Sequence, residues 1–284
     1  MNTLCPSLIV AVLAFLAPTA AASGSEGLRT YGPARAWGGR QVRSLAPVPH
    51  VPVPSGGGSS GPSAHTSSLK VHRDQILSNE FTLTQWAYVA RTAIVYWTPR
   101  TASRRVARLT LYTEDGFPSV YLALRAHWDS RGREWVLVRI PGRPNGRTGW
   151  VLRSALGRFH ITHLAVTVIR AQIRMYFYKD GHLVWSAPVG IGAPSTPTPP
   201  GDFWINEMFV LAPSNPYYPF AFGTTDYSTL TDWPGGGVVG IHGPYGAPWS
   251  AIPGRISHGC IRLHVPDDAW LGSHLKIGTP LRVI

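Results

Sequence analysis

From Gln85 onward the chain alternates short apolar runs with Gly, Pro and Asx residues, the rhythm of strands rather than of helices. Thr92–Trp97, Val106–Tyr112 and Trp135–Ile140 predict strands at close spacing. A Pro/Gly/Asn turn then leads into Gly149–Leu152. A second set follows: Leu164–Arg170, then Ile173–Tyr178 returning as Leu183–Trp185 across Lys179-Asp-Gly-His182. Asp-Gly between apolar runs is a strong hairpin signal. Thr279–Ile284 predicts a closing strand, and Pro266–Leu271, acidic in its first turn, a short helix. Residues 206–236 are dense in aromatics and turn formers and are long for a connection, so they read as a lid or binding loop, with Gly235-Gly-Gly237 as its hinge or a simple turn. The pattern predicts a mainly β chain in two parts, 75–158 and 159–284.

What precedes residue 75 reads differently. The apolar run Leu8–Leu16 and the small residues Thr19-Ala-Ala-Ala22 predict a secretory signal over 1–22, too short to span a bilayer. Residues 23–74, rich in Pro, Gly and Ser, predict a disordered tether with His50, His65 and His72 in solvent. The expected location is therefore the periplasm or cell wall, with a membrane tether if the signal stays uncleaved.

Composition sharpens this. The net charge of +12 comes entirely from residues 1–158, with nineteen basic against seven acidic residues; residues 159–284 hold seven of each. For a secreted chain nucleic acid is a poor partner, and an anionic wall polymer or membrane surface a better one, with generic solubilising charge as the alternative. Trp97, Trp128, Trp135 and Trp150 offer an aromatic surface beside Arg104, Arg105 and Arg108, with at least two of the tryptophans expected in the core. A monomer is expected.

Candidate chemistry concentrates at the end. Gly240-Ile-His-Gly243 and Ser257-His-Gly-Cys-Ile-Arg-Leu263 stand with fourteen residues between His242 and Ser257. The chain has two cysteines, and cleavage of the signal would remove Cys5, leaving Cys260 unpaired. A lone thiol in a secreted protein braces nothing by a disulfide. As a thiolate it is a nucleophile, and a nearby imidazole can take its proton. Zinc is the rival, with His242, His258, Cys260 and His264 as ligand types, but no Cys-x-x-Cys or His-x-x-x-His pair is present.

The string His242, fourteen residues, Ser257-His-Gly-Cys-Ile-Arg resembles the signature of L,D-transpeptidase catalytic domains, and Thr196-Pro-Thr-Pro-Pro-Gly-Asp-Phe203 resembles an upstream segment of that family. The segment ending in Gly149-Trp-Val resembles bacterial Src-homology-3-like barrels, many of which bind wall material. The resemblances imply a small β-barrel followed by a β-sandwich-type catalytic domain. They imply Cys260 as nucleophile, His242 as proton acceptor and donor, and the Gly243 carbonyl orienting that ring. Amides around His258, Gly259 and Cys260 would face the oxyanion; His258 shapes the pocket or is itself the base. Ser257, Arg262 and Tyr245 are substrate-side residues, with Arg262 either binding a carboxylate or bracing the loop. No cofactor or metal is implied. The implied partners are peptidoglycan stem peptides, joined as 3-3 cross-links. Hydrolysis instead of transfer, attachment of a protein or amine to the wall, and an inactive wall-binding protein are the alternatives.

Overall fold

A computed structural model describes residues 74–232 and 234–284, together with a two-residue strand at Arg40–Gln41. The expected signal and most of the expected tether lie outside the described residues. Within the tether, Arg40–Gln41 pairs with Phe209–Val210, so that segment is not wholly without structure.

Residues from Leu164 onward form two sheets around one core. The first, of five strands, runs in the order His182–Pro188, Arg174–Lys179, Leu164–Ile169, Pro280–Val283, Gly201–Trp204. Its hairpin turns at Asp180 and Gly181, both at positive φ, as the Asp-Gly pair predicts. The second, of seven strands, runs Arg40–Gln41, Phe209–Val210, Phe220–Tyr227, Val238–His242, Ile261–Arg262, Gly190–Gly192, Gly254–Ser257. Val166, Phe177 and Phe203 from the first sheet meet Phe222, Ile241 and Ile261 from the second in a single buried cluster. Truncating a buried phenylalanine such as Phe222 costs about 3–5 kcal/mol.

The helix Val265–His274 begins with a proline in its first turn and closes one end of this core with Leu271. Trp270 stacks on Trp185 at 4.6 Å, and Asp268 accepts the Phe220 N–H at 2.8 Å.

The stretch 206–236 departs from the expected lid. Phe220–Tyr227 is a strand inside the seven-stranded sheet, flanked on both sides, with Phe209–Val210 as one neighbour, and loop segments remain before and after it. Its polar residues hid it, because Thr224, Thr225 and Asp226 are all buried with partners. Thr224 Oγ1 donates to Val239 O at 2.6 Å, and Thr225 Oγ1 accepts the Trp204 N–H at 3.2 Å.

The front part is an antiparallel sheet whose order runs open from Arg105–Leu109 to His160–Thr162, with the short strand Gln75–Ile76 added at Val120–Trp128. It continues past the expected boundary at 158, because His160–Thr162 pairs with Thr84–Trp86. Trp135 is wholly buried and Trp128 packs on the core, whereas Trp97 is 59% exposed under Arg104.

The two parts share buried surface. Trp204 is buried with Val120 and Leu122 and donates its indole N–H to Val120 O at 3.0 Å. Trp86 lies flat on Gly278, where a Cβ would sit 2.5 Å from the ring. Arg139 binds both Glu80 of the front part and Asp202 of the five-stranded sheet.

Candidate active site

Val238–His242 and Ile261–Arg262 are neighbouring parallel strands, with Ile241 opposite Ile261 and His242 opposite Arg262. One strand ends on His242 and the other begins just after Cys260. This register brings imidazole and thiol together on the wall of a cavity of about 100 Å³, completed by Tyr217, Ser228, Val238, Val239, Tyr245, His258 and Arg262.

His242 is buried, and Tyr217 packs edge-on against it at 4.7 Å. Its Nδ1 lies 2.7 Å from the Gly243 carbonyl. A carbonyl only accepts, so Nδ1 carries the proton and Nε2 is the basic nitrogen. Burial drives the pKa of this imidazole down to about 3, the Gly243 bond opposing and the Arg262 charge adding. Burial likewise pushes the half-buried Cys260 thiol up, while the Gly240 N–H, 3.5 Å from Sγ, and Arg262 pull it down and Asp226 pushes it further up. At rest the pair is therefore neutral, a thiol beside an unprotonated imidazole.

The loop carrying Cys260 is fixed by side-chain hydroxyls. Ser257 Oγ donates to Cys260 O at 2.5 Å and accepts the Gly259 N–H at 3.1 Å. Gly259, at φ 126°, occupies backbone space that L side chains avoid. Its amide is spent on Ser257, so of the three amides expected to face an oxyanion this one is already engaged. Thr198 Oγ1 donates to Gly259 O at 2.7 Å and accepts the Gly192 N–H at 2.9 Å, and Thr196 Oγ1 donates to Ser257 O at 3.2 Å. The Thr-Pro-Thr arch lies so close over Gly192 that a Cβ there would meet Thr196 O at 2.3 Å.

The remaining expected residues fall around the rim. His258 is exposed at the cavity edge. Tyr245 stands at φ 54° with its ring 4.7 Å from Tyr217, and the Arg262 guanidinium lies 5.0 Å above it. Arg262 Nε is buried without a hydrogen-bond partner. His264 is not at this cavity; it is buried and stacks on Trp249 at 3.6 Å. The four side chains named as possible zinc ligands are thus not gathered. Among the described residues no group of three or more His, Cys, Asp or Glu is placed to hold a metal.

Sequence reading missed the roles of Thr196, Thr198, Tyr217 and Ser228. The first two stood in a segment noted only for its resemblance, and Tyr217 was one aromatic among many.

The site thus brings a thiol and an imidazole together from adjacent strands of a two-sheet β domain. Residues 163–283 match the YkuD family model, the L,D-transpeptidase catalytic domain. L,D-transpeptidase 1 of Mycobacterium tuberculosis is 28% identical over 118 residues, covering 37% of this chain and 44% of that protein. The chain thus matches less than half the length of that curated relative. Among solved structures, the catalytic domain of the Enterococcus faecium L,D-transpeptidase is 26% identical, with a TM-score of 0.31 over 42% of this chain and 95% of that one. A Mycobacterium smegmatis L,D-transpeptidase is 17% identical, with a TM-score of 0.33 over 54% and 90%.

Proposed function

We propose that the protein is a cysteine-dependent L,D-transpeptidase that cross-links peptidoglycan stem peptides through their third residues. One observation carries the reading. Within an L,D-transpeptidase catalytic domain, Cys260 shares a cavity with a His242 whose Nδ1–H is held by Gly243 O, leaving Nε2 as base.

In this mechanism Nε2 of His242 takes the Cys260 proton as Sγ attacks the carbonyl of the third, diamino-acid residue of a donor tetrapeptide. Amides of the 258–260 loop other than that of Gly259 face the oxyanion. The imidazolium returns its proton to the departing D-alanine nitrogen, leaving a thioester on Cys260. The side-chain amine of a second stem then attacks the thioester, His242 takes the amine proton, and Cys260 leaves as thiol. Arg262, whose Nε is unpartnered at the cavity, supplies a donor to a substrate oxygen. Secretion through the 1–22 leader, action as a monomer and retention on anionic polymers by the basic front part belong to the same reading.

The test is mass spectrometry of purified stem peptides incubated with the mature protein. The expected product is a dimer one D-alanine lighter than two donors, absent with Cys260→Ala. Tripeptide without dimer would make water the acceptor, and no product would set the reading aside.

A further inference from the structure

The loop between Phe220–Tyr227 and Val238–His242 forms one side of the catalytic cavity. Ser228, at its start, lines the cavity, and its Cβ would lie 3.2 Å from a Cβ placed at Gly259, the neighbour of Cys260. Val238, at its end, lines it too. The loop's own backbone closes at the base, where Ser228 N–H meets Gly237 O at 2.9 Å. Above that bond the carbonyls of Ser228, Leu230 and Gly236 converge on one point, a crowding of like dipole ends that a bare loop would relieve by opening.

The group at that point comes from the front part. Arg143 Nε and Nη2 reach Ser228 O at 3.0 and 2.6 Å, Nη1 reaches Gly236 O at 2.9 Å, and Nη2 reaches Leu230 O at 3.1 Å. The guanidinium also lies 5.2 Å above the Tyr227 ring. Two residues on, Asn145 donates to Asp226 Oδ1 and Tyr227 O, both at 2.9 Å, and accepts the Tyr227 N–H at 3.2 Å. The loop is shaped to this arrangement, since a Cβ at Gly237 would sit 1.9 Å from Leu230 O and 2.6 Å from Arg143 Nη2. A planar fork of five donors suits three carbonyls as a lysine's compact ammonium does not.

We propose that Arg143 and Asn145 are positioning residues of the active site: from the front part of the chain they hold 228–237 in the shape that sets the substrate wall opposite Cys260. The proposal rests on the transpeptidase reading for what the wall encloses, but not for the clamp itself. Arg143 keeps contact with solvent, so its removal takes little from global stability. What it controls is local geometry, and a displaced substrate wall is costly to turnover.

The experiment uses the mature full-length chain with Arg143→Ala, Arg143→Lys and Asn145→Ala. Arg143→Ala is expected to lower kcat/KM on soluble stem peptides by about 100-fold, the scale of loss from misplacing a reactant by an ångström. Arg143→Lys should recover part of this, and Asn145→Ala should fall between. Melting temperature and the rate of Cys260 alkylation by iodoacetamide should hold, because thiol and imidazole stand on paired strands. Hydrogen exchange of the 228–237 amides should accelerate in Arg143→Ala. Unchanged kcat/KM would overturn the proposal, as would alkylation and melting falling in step with activity, the mark of a merely structural role. Unchanged exchange would overturn it even if the wild-type chain turned over no stem peptide, a result that would sink the transpeptidase reading by itself.

Discussion

His242 and Cys260 stand on neighbouring strands of one sheet, in register through backbone bonds, whereas Ser228 across the cavity begins a loop fastened by side chains from another part of the chain. The first side of the cavity is local: its spacing follows from strand pairing, and hydroxyls within the same domain fix its loop. The second depends on residues 85 to 93 positions away in sequence. Nucleophilicity and substrate shape thus rest on separate supports, and each can be disturbed with the other left standing.

The largest effect should come from the first side. Cys260→Ala is expected to abolish turnover with no change in melting temperature, since one unpaired thiol stabilises no bridge. His242→Ala should lower kcat by about 10²–10⁴-fold, the usual contribution of a general base. Stem-peptide kinetics and thermal melts would check both, and a greater loss from His258→Ala at every pH would move the base to His258.

A smaller effect should follow from the arch beneath Cys260. Thr198→Val keeps the shape but strands the Gly259 carbonyl and the Gly192 N–H, at a cost of about 1–3 kcal/mol for each group left buried and unpaired. Activity should fall in proportion to a loosened Cys260 loop while hydrogen exchange at 228–237 is unchanged. Urea unfolding and exchange measured on the same variant would separate the two sides of the cavity.

The Cys/His pairing was legible because its two short motifs lie within residues 240–263, at a spacing that can be read along the chain. The hairpin at Asp180-Gly181, the helix near 266–271 and most strands were legible for the same reason. Phe220–Tyr227 was not, because its buried Thr224, Thr225 and Asp226 mimic a polar loop until their partners are known. Arg143 and Asn145 read as turn residues, as Pro141-Gly-Arg-Pro-Asn-Gly-Arg147 looks like any exposed connection. The contact between the two parts was hidden for a similar reason, since nothing in the sequence pairs Trp204 with Val120 or Trp86 with Gly278.

The smallest effect expected concerns the contact between the parts. Burial lifts the Glu207 carboxyl to about 8, a Thr113 hydrogen bond opposing and Asp115 and Glu114 adding. With the folded value raised above the ordinary one, the unfolded chain gives up this proton first. The stabilisation it carries is therefore complete below about pH 4.5 and is lost as pH rises to about 8. The unfolding free energy of the wild type from urea melts should decline across that window by on the order of a few kcal/mol. Glu207→Gln, which cannot ionise, should decline less, and parallel declines would show that other groups govern the slope.

Because the donors of Arg143 reach carbonyls 85 to 93 residues downstream, the 228–237 segment gains its clamp only after both parts have folded and docked. A molecule whose front part is unfolded or undocked therefore keeps its Cys–His pair on paired strands but lacks the clamp on the wall opposite.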